Sequence, residues 1–425
     1  MLTEDEILKA YEVSKGAIET VPKVKVADKD DLAVRYTPGV ASVCNAIKSD
    51  KSKVFTYTGK SNMIGIVTDG SRILGLGNIG PEAGLPVMEA KAMLFKKYGG
   101  VSAIPICLDT QEEEEIIRTV KALAPAFGGF NIEDIESPKC FRIVDRLSKE
   151  LEIPILHDDQ HGTAMVTIAA LINALRLAGK DMTKVKIVIN GAGSAGLGIV
   201  RLLNYMKIKH VYVIDKTGII YDGRKEGMNE FKQEIATLTN PEKLQGTLDV
   251  AVEKADVLIG ASTAGVFTKE MIRKMAEKPI VFALANPVPE ISYKEAKDAG
   301  AFIVATGRSD APNQVNNVLS FPNIMRGLLD SGAKKIDYDM LYEASKALAK
   351  CAGKELGPEH ILPTPYSAKE MINVLSSVAT AIATSAVKSG NSRHSEIDLS
   401  AIKSNAAKMI KREIKLEKVA TKAQQ

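Results

Sequence analysis

Two pairs of acidic residues stand directly after short apolar runs in the first half of the sequence. Glu133 and Asp134 follow one run, and Asp158 and Asp159 follow the next. We expect both runs to be parallel strands, because the carboxyl ends of such strands meet at the edge where α/β sheets bind ligands. Carboxylate oxygens gathered there suit Mg²⁺ or Mn²⁺, with water and ligand oxygens in the remaining positions. The pattern favours a divalent-metal site, and ordinary acidic strand ends are the alternative.

A lysine lies on an apolar face of the helix that we predict from residue 82 to residue 98. Val87, Lys91 and Leu94 share this face at i, i+4, i+7 spacing, and apolar residues surround most of the helix, so it should be largely buried. Burial without a partner lowers the pKa of an ammonium group toward the range of a general base. The alternative is a packed stem whose ammonium reaches water.

Two further side chains are candidates on loops. Tyr36 stands just before Pro38 and Gly39, a turn signal, so we expect it at a loop edge as either an acid–base group or a packing residue. Arg72 lies beside a glycine-dense loop at 75–80. It is either a fixed cation for a carboxylate ligand or an ordinary surface arginine.

A glycine-rich turn joins a predicted strand to a predicted helix near the middle of the chain. It reads Gly191, Ala192, Gly193, Ser194, Ala195, Gly196, with glycines at the first, third and sixth positions. Gly191 allows the tight turn, Gly193 allows a pyrophosphate to approach, and Gly196 allows close packing of helix on strand. The first N–H groups of the helix would then face the phosphates. This pattern predicts a dinucleotide site.

The following apolar run ends in Asp215, about 20 residues beyond the turn, where a carboxylate bonds the ribose hydroxyls of a nicotinamide cofactor. Asp215 alone favours NAD. A basic residue nearby, either Lys216, Arg224 or Lys225, would instead meet the additional phosphate of NADP. The choice between NAD and NADP stays open. Asn286 follows a later predicted strand and is well placed to bond the nicotinamide ribose or the substrate.

The bulk composition is that of an ordinary globular protein. Of 425 residues, 45% are hydrophobic, and the formal net charge is only +4, so nothing favours a nucleic-acid partner. The polar, acidic N-terminus is not typical of a secretory signal, and no apolar run approaches the roughly 20 residues that cross a membrane. The scattered cysteines are typical of reduced thiols. We therefore expect a cytoplasmic protein.

The order of predicted elements indicates an α/β protein in three parts. An N-terminal α/β domain is expected over residues 1–160, a doubly wound Rossmann-type NAD(P)-binding domain over 161–385, and a helical tail over 386–425. Within the first domain we predict a helix over 4–20 and a pair of strands at 62–69 and 72–76.

Eight sequence blocks, in order from residue 36 to 324, resemble the malic enzyme family. They are YTPGVA (36–41), RILGLGNIG (72–80), PVMEAKAMLFKKYGG (86–100), NIED (131–134), HDDQHGTA (157–164), NGAGSAG (190–196), ANPVPE (285–290) and NNVLSFPNI (316–324). The match is best to the compact prokaryotic-type form. The resemblance implies metal-dependent oxidative decarboxylation of L-malate to pyruvate and CO₂ with NAD or NADP, and decarboxylation of oxaloacetate at the same site.

The resemblance also implies a role for each matched residue. Lys91 would be the general base on the C2 hydroxyl, and Tyr36 the general acid toward C3. Because a phenol has an ordinary pKa of about 10, we expect Lys91 to lie near Tyr36 and to lower its pKa. The divalent ion, Mg²⁺ or Mn²⁺, would be bound by Glu133, Asp134 and Asp159. The substrate would be bound by Arg72, Asn286 and Asn317.

The family usually forms dimers or larger assemblies, so a homodimer or larger homo-oligomer is expected from the resemblance. Three other interpretations stay open. An amino-acid dehydrogenase pairs a catalytic lysine with a dinucleotide fold but needs no divalent metal. A dinucleotide-binding sensor or assembly protein would lack turnover. A lyase would decarboxylate without net redox while its cofactor stays bound.

Overall fold

Two sheets follow one another along the chain in the computed structural model, which describes residues 3–394 and 396–423, with side chains described as far as residue 416. The first sheet is wholly parallel, with strand order β2-β1-β3-β4. Its strands are β1 (Met63–Thr68), β2 (Ser102–Cys107), β3 (Gly129–Ile132) and β4 (Ile155–His157). Ile132 pairs with His157, so the acidic residues after β3 and β4 emerge side by side.

The second sheet has the order β10-β9-β8-β5-β6-β7, and its pairs are parallel except for β6 with β7. Its strands are β5 (Ile187–Asn190), β6 (Val211–Asp215), β7 (Gly218–Ile219), β8 (Val257–Gly260), β9 (Ile280–Ala283) and β10 (Ile303–Thr306). Later strands add on opposite sides of β5, so the strand order reverses there, which is where α/β sheets bind ligands. The predicted α/β fold with a doubly wound second domain is confirmed.

Helices cover both sheets and continue after the last strand. They are α1 (Glu4–Ser14), α2 (Lys29–Arg35), α3 (Val40–Ser49), α4 (Val54–Tyr57), α5 (Pro81–Gly99), α6 (Glu113–Leu123), α7 (Lys139–Glu150), α8 (Thr163–Ala178), α9 (Ser194–Tyr205), α10 (Glu230–Leu238), α11 (Leu248–Ala251), α12 (Lys269–Arg273), α13 (Tyr293–Asp298), α14 (Phe321–Asp330), α15 (Tyr338–Lys350), α16 (Ala368–Lys388) and α17 (Leu399–Ala423). The predicted limits of the three parts of the chain stay a prediction.

The late helices α14 and α17 fold back onto α5, the helix that carries Lys91. Phe95 of α5 packs edge-on against Phe321, with ring centroids 4.7 Å apart. Lys96 Nζ lies 3.6 Å from Glu413 Oε1 of α17. Because α5 is packed on several sides, its position relative to the first sheet is fixed by elements distant in sequence.

The N-terminal segment, defined here as residues 3–57, contains no buried residue. Helix α1 begins with the capping box of Thr3 and Glu6 and ends at Ser14, earlier than the predicted residue 20. Many large apolar side chains of this segment are exposed: Ile7, Leu8, Tyr11, Val13, Ile18, Val21, Val24, Val26, Leu32, Val34, Tyr36, Val40 and Tyr57. So much apolar surface in one segment is typical of an interface.

The predicted strand at 72–76 is wrong. This stretch is a closed turn, in which the N–H of Ile73 donates to Gly77 O and the N–H of Leu76 donates to Ile73 O. Leu74 and Leu76 are about two-thirds exposed, at 67% and 69%. The leucines that suggested a strand are therefore not buried in this loop.

Two helical stretches of 21 residues, Asp158–Ala178 and Ala368–Lys388, are long and apolar enough to cross a membrane by length and composition alone. The sequence-based expectation that no stretch approaches this length was therefore too strict. Most of each apolar window is buried inside the protein, 72% and 56%. This burial is typical of core helices in a folded domain.

Candidate active site

Lys91 lies at the centre of a buried cluster of carboxylates. Its Nζ is 2.6 Å from Asp158 Oδ2 and 2.7 Å from Glu133 Oε1, and its side chain is only 13% exposed. The same ammonium stands 4.3 Å from the centroid of the Phe321 ring, a cation–π distance. Asn317 Nδ2 donates to Asp158 Oδ2 at 3.3 Å. The structure thus brings α5, the ends of β3 and β4, and the start of α14 to one point.

The charges around Lys91 reverse the shift that its apolar helix face suggested. Burial lowers the pKa of Lys91, but the attraction of Asp158 and Glu133 outweighs burial and raises this pKa above its ordinary value. The expectation of a lowered pKa is therefore wrong for this arrangement. An ammonium held by two carboxylates keeps its proton and neutralises part of their charge.

The carboxylates nevertheless outnumber the nearby cation. Burial, followed by repulsion from Glu133 and Asp159, raises the pKa of Asp134 to about 8. Burial likewise raises the pKa of Asp158 to about 7, although Lys91 opposes the rise. Within the described part of the chain, Asp134 Oδ2 and Asp158 Oδ1 are buried without a hydrogen-bond partner. The cluster therefore lacks positive charge and hydrogen-bond donors.

This shortage fits a divalent cation in charge and donor chemistry, since hard carboxylate oxygens are its usual ligands. The fit is not preformed: across the described residues, no three acidic, histidine or cysteine side chains are already arranged around one point. Glu133 is turned instead toward Lys91 and toward Asn131, whose Nδ2 donates to Glu133 Oε2 at 2.6 Å. A cation bound by Glu133, Asp134 and Asp159 would thus require Glu133 to rotate.

Arg72 connects the acidic cluster to the glycine turn. Its main-chain N–H donates to Asp134 O at 3.1 Å. Its side chain extends toward the turn, since a Cβ placed on Gly193 would lie 4.0 Å from Arg72 Nη1. Arg72 also lines the cavity beside the turn. A guanidinium at this junction can hold a carboxylate by two parallel hydrogen bonds.

The glycine turn has the geometry that its spacing predicts. Gly191 has φ +130°, and a Cβ on Gly196 would lie 1.9 Å from Gly191 O, so neither position tolerates a side chain. Gly193 precedes α9 without a side-chain cap, which leaves the first N–H groups of the helix available. Ser194, followed by Ala195, opens α9, and Ser194 Oγ lies 3.1 Å from Ser137 Oγ of the first domain.

The cavity beside this turn measures about 610 Å³, which lies within the roughly 300–1,000 Å³ of small-molecule and cofactor sites. Its lining includes Gly191 and Gly193 of the turn, Asp215 and Lys216 at the end of β6, and Arg72. The open face of Gly193, the uncapped helix and the cavity fit a dinucleotide. Arg72 lines this cavity while its main-chain N–H donates to Asp134 O of the acidic cluster.

Comparison with known families tests the resemblance that the sequence blocks carry. Residues 15–148 match the family described as "Malic enzyme, N-terminal domain", and residues 160–387 match "Malic enzyme, NAD binding domain". The chain belongs to the malic enzyme family. The resemblance carried by the eight sequence blocks is confirmed.

Malic enzymes from several organisms are similar along nearly the whole chain. The bifunctional malic/malolactic enzyme of Bacillus subtilis is 49% identical over 92% of this chain and 95% of its own length. The NAD-dependent malic enzyme of Geobacillus stearothermophilus is 47% identical over 90% of this chain and 79% of its own. The crystal structure of malic enzyme from Pyrococcus horikoshii has a TM-score of 0.94 and 43% identity, covering 99% of both chains.

Two residues that the malic enzyme resemblance implicates make no described hydrogen bond or ion pair with the Lys91 cluster. Asn286 is exposed in the loop after β9, where its Nδ2 donates weakly to Leu284 O at 3.5 Å. Tyr36 belongs to the N-terminal segment and is 66% exposed. Among the described residues, no hydrogen bond, ion pair or ring contact joins Lys91 to Tyr36, so this pair is not formed within the single chain.

The roles of two residues of this malic enzyme site were missed by sequence reasoning. Asp158 was expected among the acidic strand ends, but its role as the partner of Lys91 was not predicted. Glu290 is fully buried, and its carboxylate accepts hydrogen bonds from the main-chain N–H groups of Ser262 and Ala285. It thereby ties together the loops after β8 and β9. The only signal for Glu290 was an acidic residue in the block that contains Asn286.

Proposed function

We propose that this chain oxidises L-malate with NAD⁺ or NADP⁺ and decarboxylates the product to pyruvate and CO₂, in dependence on Mg²⁺ or Mn²⁺. The observation that carries the proposal is the position of Lys91 among Glu133, Asp158 and Asn317, with Arg72 linking these residues to the dinucleotide cavity. A hydroxy acid bound at that junction would present its C2 carbon to both Lys91 and the cofactor. Relatives of this chain are named for NAD and for NADP.

In this proposal Arg72 binds a carboxylate of malate and orients the substrate with Asn317. Lys91 accepts the proton of the C2 hydroxyl as the hydride leaves C2 for the nicotinamide. Glu133, Asp134 and Asp159 would hold the divalent cation, which would supply Lewis-acid stabilisation of the charge that develops on the C2 oxygen. Lys91 first has to release its own proton to solvent. Positive charge brought near the amine, together with loss of its contact to Glu133, lowers the pKa of Lys91 and favours this release.

Asp158 acts in this proposal as the group that positions Lys91. It is fully buried at the end of β4, and its Oδ2 accepts hydrogen bonds from Lys91 and Asn317. Because these bonds fix Oδ2 from two sides, the Lys91 ammonium has one defined location when Glu133 rotates away. Asn317 is itself held by Thr163, to whose Oγ1 its Nδ2 donates at 2.9 Å.

We propose further that the protein is a homodimer in which Tyr36 completes the site of the second copy. The N-terminal segment exposes its apolar side chains, and Leu74, Leu76 and Leu85 are exposed on the loop and helix beside the Lys91 cluster. Pairing these two apolar surfaces between copies would cover both and bring Tyr36 to the partner's site. There Tyr36 would protonate C3 of the enolate, with Lys91 lowering its pKa.

Mixed dimers test this arrangement. Lys91→Met and Tyr36→Phe are each expected to abolish most malate oxidation. When the two variants are refolded or co-expressed together, half of the dimers are hybrids, each with one intact site, so about a quarter of wild-type activity should return. No recovery, or a monomer in light scattering, would contradict the shared site.

The overall reaction is tested by the absorbance of NAD(P)H with L-malate, Mn²⁺ and either cofactor, with and without EDTA. We expect metal-dependent reduction and an equal yield of pyruvate. Reduction that EDTA leaves unchanged, or reduction with an amino acid in place of malate, would refute the proposal. The apolar helices packed in the core and the free cysteines are consistent with a cytoplasmic enzyme, as we propose.

A second candidate activity is the conversion of L-malate to lactate and CO₂. The name of the Bacillus subtilis relative, a malic/malolactic enzyme that matches over nearly the full length, favours it. In this activity the NADH formed from malate returns its hydride to pyruvate before it dissociates. Lactate formed with catalytic amounts of NAD⁺, without NADH release, would support this activity, and pyruvate alone would exclude it.

A further inference from the structure

The carboxylate of Asp215 is enclosed by two cations. Arg224 Nη2 lies 2.5 Å from Asp215 Oδ2, and Lys232 Nζ lies 2.7 Å from the same oxygen. The main-chain N–H of Thr217 donates to the other oxygen, Oδ1, at 2.9 Å. With both oxygens occupied and a side chain that is 7% exposed, Asp215 is not the free ribose acceptor that its position in the sequence suggested.

The two cations are themselves fixed by the main chain. Arg224 Nη1 donates to Gly218 O at 3.1 Å, in the hairpin that joins β6 to β7. Lys232 Nζ donates to Gly227 O at 2.8 Å. These bonds hold both cations at Asp215 whether or not a ligand is present. They therefore cancel its negative charge permanently and leave one surplus positive charge.

Lys216 adds a further positive charge on the cavity side. It follows Asp215 directly, is exposed, and lines the cavity, whereas Arg224 and Lys232 lie behind Asp215 and do not line it. None of the hydrogen bonds or ion pairs described between residues 3 and 416 uses the Lys216 ammonium. The end of β6 thus carries three cations and one anion, of which Lys216 and Asp215 line the cavity where the adenosine ribose of a dinucleotide would bind.

From this arrangement we propose that the chain accepts NADP as well as NAD. Lys216 contacts the 2′-phosphate, and the Arg224–Lys232 pair neutralises the negative charge of Asp215. The inference rests on the proposed function as a nicotinamide-dependent enzyme. A free acid at this position bonds the 2′-hydroxyl and repels a 2′-phosphate. Here the repulsion is cancelled, and the surplus positive charge attracts the phosphate instead. Arg224 and Lys232 are positioning residues, and Lys216 determines specificity.

Binding without turnover tests the inference separately from the reaction. Adenosine 2′,5′-bisphosphate and adenosine 5′-phosphate are titrated into the protein by calorimetry, and NADPH and NADH by fluorescence. We expect wild-type affinities for NADPH and NADH within about tenfold of each other, one charge-assisted contact being worth roughly that factor. Lys216→Ala should weaken both 2′-phosphorylated ligands about tenfold and change the other two less than twofold.

Lys225→Ala is the matched control, because Lys225 is exposed nearby but does not line the cavity. It should leave all four affinities unchanged. Lys232→Met removes the surplus positive charge, because Arg224 alone still balances Asp215, so it should weaken NADPH binding while NADH binding is retained. Arg224→Met should have the same effect. Arg224 is more buried than Lys232, so if Arg224→Met does not fold, Lys232→Met still tests the inference.

Two outcomes overturn the inference. The first is wild-type NADPH binding more than about a hundredfold weaker than NADH binding, since a neutralised acid would not discriminate so strongly. The second is equal weakening of all four ligands by Lys216→Ala, which would make Lys216 a general phosphate contact. A protein that binds these ligands as expected but does not oxidise malate would refute the proposed reaction and leave this inference standing.

Discussion

Replacing Lys91 with methionine leaves Asp158 and Glu133 buried without their cation. Removing one partner of a buried ion pair costs about 3–5 kcal/mol. Lys91 neutralises two carboxylates at 2.6 Å and 2.7 Å, so we expect a loss of about 5 kcal/mol in the metal-free protein. At about 2 °C per kcal/mol, the unfolding midpoint should fall by about 10 °C in EDTA.

A divalent cation should reverse much of this loss. In the variant, Glu133 is released from Lys91 and the cluster has more uncompensated charge, so Mn²⁺ should bind more tightly than in the wild type. Mn²⁺ at about 100 times its dissociation constant stabilises the folded state by about 2.7 kcal/mol. The midpoint of Lys91→Met should therefore rise by about 5 °C, and more than that of the wild type at the same Mn²⁺ concentration.

Lys139→Met is the matched control for this experiment. Lys139 Nζ lies 2.6 Å from Asp69 Oδ2, and both side chains are buried to a similar degree as the Lys91 pair. This variant should lose stability as well, but Mn²⁺ should not restore it preferentially. Thermal unfolding followed by circular dichroism, with a Mn²⁺ titration, measures both effects. An unchanged midpoint for Lys91→Met in EDTA, or equal Mn²⁺ stabilisation of all three proteins, would refute the reasoning.

Three other predictions follow from single side chains. Gly196→Ala should abolish NADH binding in a fluorescence titration, because its Cβ would lie 1.9 Å from Gly191 O; retained affinity would show that the turn rearranges freely. Glu290→Gln should lower the unfolding midpoint less than Glu290→Ala, because an amide oxygen still accepts one of the two main-chain N–H donors; equal losses would contradict this. Burial and the nearby Arg393 lower the pKa of Lys60 to about 8, so the unfolded chain binds this proton more tightly than the folded protein does. The unfolding midpoint of the wild type should therefore rise relative to that of Lys60→Met between pH 8 and pH 10. A difference between the two midpoints that stays constant with pH would contradict this.

The features that the sequence predicted well depend on neighbours along the chain. The turn from Gly191 to Gly196 has the predicted geometry because its shape is determined by six consecutive residues. The acidic ends of β3 and β4 meet because parallel pairing brings carboxyl ends together. The strand predicted at 72–76 was wrong because the sequence does not distinguish exposed leucines from buried ones.

The features that the sequence did not predict depend on distant residues. Lys91 is paired with Asp158, which lies 67 residues away, and this pairing reverses the direction of its pKa shift. Asp215 is paired with Arg224 and Lys232, which a spacing rule for ribose binding does not include. In each case the residue type and approximate place were predictable, while its charge state was set by a partner that only the tertiary fold supplies.

The packing of α14 and α17 on α5 has a consequence for protein synthesis. Roughly 220 residues separate the end of α5 from the start of α14, and a ribosome that adds about 5–20 residues per second needs roughly 10–45 s to make them. During that interval the nascent chain carries Lys91 on a helix whose apolar flank has no cover, and Asn317 has not been made. The N-terminal half therefore completes its packing only after α14 and α17 have been synthesised.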